Sequence, residues 1–143
     1  MSNRTFNEII QRNEKDANRV VANVMLIVLF IFTFVYILNL SGIFVIDSIY
    51  MNTAYFSGSV ILVLPKIINI IFGTSSKKLK YIYVTLSALF LMILTSILTF
   101  HVVVLYVFPI AIGAFYFSKK LTYFSTVITS VVTVIGQLIG FFI

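Results

Sequence analysis

The chain reads as an all-α, polytopic transmembrane helical bundle, with five spanning helices after an N-terminal amphipathic interfacial helix. Three observations predict that class. Of 143 residues, 61% are hydrophobic and only 10% charged, with a mean hydropathy of +1.13. A water-soluble domain of this size needs far more polar surface. Apolar windows of about twenty residues, long enough to cross ~30 Å of hydrocarbon, recur along the chain. The basic residues collect in alternate gaps between those windows.

The first element, residues 1–19, contains "TFNEIIQRNEKDANR" (Thr5–Arg19). Thr5 followed by Glu8 is a capping-box spacing. Phe6, Ile9, Ile10, Ala17 and Val20 mark a loosely apolar face, while Arg12, Lys15 and Arg19 are available to lipid headgroups. The segment therefore reads as a cytoplasmic or interfacial helix running into the first span. Its length and polarity, and the length of the apolar run after it, argue against a cleaved signal peptide. Interleaved acidic residues and the lack of a recognition-helix pattern argue against nucleic-acid binding.

The transmembrane bundle covers 20–143, with spans expected at about 20–40, 51–72, 81–100, 102–117 and 121–143. The fourth is short and carries Pro109. Arg4, Arg12, Lys15 and Arg19 precede the first span, Lys77, Lys78 and Lys80 lie between the second and third, and Lys119 and Lys120 lie between the fourth and fifth. Nine of the ten basic residues thus fall on one side, and the positive-inside rule places that side, with the N-terminus, in the cytoplasm. The partners implied are the bilayer and its anionic inner-leaflet lipids. Tyr81, Tyr83, Tyr116 and Tyr123 fit the inner boundary, and Tyr50 and Tyr55 the outer one, where an aromatic ring with one wet end is favourable. "VVTVIGQLIGFFI" closes without a charge or turn and reads as a helix cut before its natural end, as in the membrane domain of a longer chain.

The tenth cation, Lys66, sits beside Pro65 inside "LVLPKIINII" (Leu62–Ile71). It lies roughly 9 Å from the cytoplasmic end of its helix, at ~1.5 Å per residue. Snorkelling to the inner headgroups is the leading account, although the lean of helical side chains points the lysine the other way. A kink at Pro65 could re-aim it, and Asn69 shares its face, so the pair Lys66 and Asn69 forms a candidate intramembrane polar site.

Ser125, Thr129, Thr133 and Gln137 recur every four residues beside Gly136 and Gly140, a stripe expected to serve close helix packing. Asp47 and His101 are candidates at the outer face, where they could pair. His101 reads mainly as a solvated turn residue, and with no cysteine and no close carboxylate it makes a poor metal site. No metal site, cofactor or catalytic constellation is expected, because no pair of inward-facing titratable groups is available for acid–base chemistry.

"RNEKDANRVVANVMLIVLFIFTFVYILNLSGIFVID" (Arg12–Asp47) and the stretch Leu98–Phe142, above all "YVFPIAIGAFYFSKKL" (Tyr106–Leu121), resemble the N-terminal membrane region of a group of clostridial-type bacterial signalling proteins. The resemblance implies a multi-helix membrane module ahead of a cytoplasmic output domain, such as a diguanylate cyclase, a chemotaxis-type coiled coil or a serine/threonine phosphatase. None of those output motifs occurs in this chain. The function expected is a sensory or anchoring module that dimerises in its full-length form and passes helix-packing changes to an output domain beyond Ile143. The alternative is a small-solute carrier or channel component built around Lys66.

Overall fold

The computed structural model describes residues 3–43, 46–98 and 105–142, and within them every regular element is helical. In chain order these are α1 (Asn3–Leu40), α2 (Ser48–Phe72), α3 (Leu79–Leu98), α4 (Val107–Phe115) and α5 (Lys119–Phe142). The Thr5 side chain of the expected capping box, and all of His101, lie outside the described residues.

No glycine or proline interrupts the chain between Asn3 and Leu40, and α1 runs the whole way as one helix of 38 residues. The stretch expected as an amphipathic helix running into the first span is continuous with it, and α1, at roughly 57 Å for 1.5 Å per residue, is far longer than ~30 Å of hydrocarbon.

Helix α2 begins where the Asp47 carboxylate accepts the Ile49 N–H at 2.9 Å, an N-cap that satisfies one of the free amides of the first turn. It ends at Gly73, whose φ of 72° lies in the left-handed region that favours glycine.

Among the described residues four helices, α1, α2, α3 and α5, are long and apolar enough to cross a membrane. Of the expected span 102–117, residues 102–104 lie outside the described residues, and the described part holds α4, nine residues long, or roughly 14 Å against ~30 Å of hydrocarbon. Pro109 stands in the first turn of α4, where its missing N–H costs no helical bond, whereas Pro65 lies inside α2 and that helix runs on through it. Past Phe115, Phe117 adopts φ 51°, and its N–H donates to the Ala114 carbonyl at 2.9 Å, closing the helix. Ser118 then caps α5, its Oγ accepting the Leu121 N–H at 3.4 Å.

Helix α3 is the centre of the bundle and packs against all four other helices. Of its membrane-length window 44% is buried, against 17–22% for the other three long helices. Helix α1 pairs antiparallel with α2, as Tyr36 meets Asn52 and Asn18 meets Asn69. Helix α5 runs parallel to α3, since Gly136 faces Met92 and Thr95 while Gly140 faces Ser96. Helix α4 packs against both, antiparallel to α5.

Lipid chains are as apolar as leucine, so fit rather than water exclusion must hold such helices together. At mid-bundle, the ring of Phe32 meets Phe90 edge-on at 5.4 Å, and Gly58 makes room for both. Further out along α1, Tyr36 stacks on Tyr55 at 4.1 Å, and the Tyr55 hydroxyl meets Thr33 Oγ1 at 3.1 Å.

Candidate functional site

The polar groups gather at one end of the bundle. Asn18 lies on the α1 face that carries Val21, Ala22 and Met25, and it is 1% exposed. Its amide nitrogen donates to the Thr74 carbonyl at 2.9 Å, its Oδ1 accepts the Tyr116 hydroxyl at 2.7 Å, and its backbone carbonyl accepts Asn69 Nδ2 at 3.3 Å. Asn69 Oδ1 in turn accepts the hydroxyl of the fully buried Tyr83, with the Pro65 carbonyl 3.4 Å away as a second acceptor. One asparagine thereby links α1 to α2, to the α2–α3 connection and to the end of α4. Every side-chain polar atom of Asn18, Asn69, Tyr83 and Tyr116 in this network has a partner, the condition under which a buried polar cluster rigidifies a fold.

Alongside runs the ion pair of Lys80 with Glu14, N to O 2.5 Å, with the side chains only 14% and 19% exposed. A cavity of about 640 Å³ opens next to it, between α1 and the α4–α5 turn, and is lined by Asn13, Glu14, Ala17, Lys80 and Tyr116. These contacts bring the N-terminal part of α1, the α2–α3 connection and the α4–α5 turn to a single end, which carries nine of the ten basic residues.

Lys66 does not join this network. Its Nζ donates to Asn23 Oδ1 at 2.9 Å across the α1–α2 seam, on the partly exposed side. The expected pair is therefore split: Asn69 turns inward to Asn18 and Tyr83, and Lys66 turns along the surface to Asn23. Asp47 is engaged with its own helix as the N-cap of α2.

The α5 stripe is divided as well. Ser125 Oγ donates to the Pro109 carbonyl at 2.6 Å, and Gln137 Nε2 donates to the Tyr106 hydroxyl at 3.0 Å, both tying α5 to the α4 segment. Thr129 and Thr133 bury their hydroxyl oxygens with no partner. The two glycines belong to the α3 contact: a Cβ on Gly136 would strike Thr95 Oγ1 and come within 3.0 Å of the Met92 carbonyl, and one on Gly140 would sit 2.8 Å from the Ser96 carbonyl.

Asn18 and Asn23 were not singled out by sequence reasoning, and Tyr83, expected at the inner boundary, is instead fully buried. The available signal was periodicity: Asn18 stands three, four and seven residues before Val21, Ala22 and Met25, which is one face of a helix. Among the described residues no group of three or more histidines, aspartates or glutamates stands close enough to hold a metal ion. No family model, no curated protein and no solved structure matches this chain.

Proposed function

We propose that the chain is the membrane-embedded sensory or anchoring module of a bacterial signal-transduction protein, with its cation-rich end in the cytoplasm. The observation that carries the reading is Asn18, where one buried side chain and its carbonyl join three other parts of the bundle. A shift of any one helix at that end must break or re-form bonds to the others, which is how a packed, fully paired cluster can hold two discrete arrangements. A second cavity, of about 240 Å³ and lined entirely by apolar side chains such as Phe32, Phe90, Leu94 and Phe108, lies between α1, α3 and α4. It suits a small apolar stimulus or part of a lipid chain. Five crossings belong to this reading, because α4 runs antiparallel to α5 and links the level of Gln137 to the level of Asn18.

The output lies beyond Ile143 and the full-length form dimerises. This reading assigns no reaction to the chain itself. A solute carrier is less well supported, because Lys66 faces the seam's surface and Asn69 is consumed by Tyr83 and Asn18. The test is to replace residues 3–142 of the full-length protein by an unrelated membrane anchor. Loss of stimulus-dependent output is expected, and unchanged output overturns the sensory reading.

A further inference from the structure

Arg12, Lys15, Arg19 and Asn23 follow one another at intervals of three, four and four, so they form a single stripe on α1, and all four are exposed. Among the described residues the only ion pair is Glu14–Lys80, so none of these three cations is neutralised by a carboxylate, although Glu8 and Asp16 flank the stripe. Asn23 ends the stripe by holding Lys66 Nζ at 2.9 Å, which fixes a fourth cation from α2 about one helical turn above Arg19. Beyond Asn23 the same side of α1 becomes wholly apolar and outward-facing, through Ile27, Phe30, Phe34 and Ile37, each more than half exposed.

We infer that the α1–α2 seam is a binding site for one anionic phospholipid, its phosphate between Arg19 and Lys66 and its acyl chains along Ile27, Phe30 and Phe34. The order of groups along the stripe, cations then hydrocarbon, is that of the lipid itself. Asn23 has the part of a positioning residue: in lipid a lysine with no anion beside it is costly, and the amide holds the ammonium at the seam where a phosphate can reach it. A soluble phosphate would gain the charge contacts but would leave the apolar half of the stripe unused. The site rests on the cation-rich end facing the inner leaflet, and it does not depend on the chain being a sensor.

The experiment uses the full chain purified into nanodiscs of phosphatidylcholine with a minority of phosphatidylglycerol, the retained lipid being counted by native mass spectrometry. Phosphatidylglycerol should be retained in preference to phosphatidylcholine. Lys66→Leu and Arg19→Ala should each lower that preference by about fivefold, the effect of one headgroup-facing cation. Lys66→Arg should keep it, and Lys120→Ala, on α5 outside the α1–α2 seam, should leave it unchanged. Arg19 lies outside the packed core, so its variant reports even where the Lys66 variant folds poorly. Equal retention of the two lipids, an unchanged preference in both Lys66→Leu and Arg19→Ala, or displacement of the lipid by inorganic phosphate overturns the site. The signalling reading is scored separately by the anchor replacement, so either proposal can fail alone.

Discussion

The Tyr116 hydroxyl donates to Asn18 Oδ1 at 2.7 Å, joining residues 98 positions apart at the cation-rich end of the bundle. Removing that donor leaves a buried acceptor unpaired. Tyr116→Phe should lower stability by about 1 kcal/mol, and Asn18→Leu by more, since it strands Thr74 and Tyr116 together. Thermal melts followed by circular dichroism in one detergent would measure both, and equal melting temperatures for Tyr116→Phe and wild type would show that the bond contributes nothing.

Glu14 and Lys80 are largely removed from solvent, so their pairing should exceed the worth of an exposed ion pair. Glu14→Gln is expected to cost about 1–3 kcal/mol, with a coupling energy above ~1 kcal/mol in a double-mutant cycle with Lys80→Met. A coupling near zero would rank this pair with ordinary surface bridges.

The α3–α5 contact has no room for a methyl group at Gly136, where backbone as well as side chain stands in the way. Gly136→Ala should destabilise the bundle by about 1–3 kcal/mol. Gly58→Ala should cost less, because what its Cβ would meet are the rings of Phe32 and Phe90 at 3.0 and 3.1 Å, which can tilt. The same melts rank the two, and the reverse order is the informative failure.

Two hydroxyls of the α5 stripe lack partners, and one has a good one. Thr133→Val should be neutral within about 0.5 kcal/mol or stabilising, because it removes an unpaired buried oxygen. Ser125→Ala should cost about 1 kcal/mol by freeing the Pro109 carbonyl. Chemical-denaturant midpoints in mixed micelles separate the cases.

Threading is tested by labelling. With Lys78→Cys and Gly42→Cys placed singly in the cysteine-free chain, a membrane-impermeant maleimide added to intact spheroplasts should modify residue 42 and spare residue 78 until the membrane is opened. Modification of residue 78 from outside would invert the orientation.

The helical class and the long apolar segments were legible because hydrophobic runs are a property of the sequence itself. So was the grouping of lysines and arginines, which the contacts from Asn18 and Glu14 gather at one end. The site was much less legible. Lys66 stands out in an apolar run, yet its partner Asn23 lies 43 residues away on another helix. Tyr83 reads as an interfacial tyrosine but is fully buried, because α3 is enclosed by its neighbours, and no local pattern announces which helix will be central. Asn18 was hidden inside a polar stretch whose charges drew attention from its position on the buried face. The end of α4 before Phe117, whose φ is 51°, was not legible either, because a window of apolar residues does not register where a helix stops.

The separation of Asn18 from Tyr116 also has a bearing on biosynthesis. A nascent chain can close the α1–α2 hairpin early, using the Tyr36–Tyr55 stack and the Tyr36–Asn52 bond, before any later segment has left the ribosome. Asn18 Oδ1 then waits for a hydroxyl that emerges almost a hundred residues afterwards. Chains stalled after Leu98 should accordingly carry a half-satisfied asparagine, and be better substrates for membrane quality-control proteases than chains released with α4 and α5 in place.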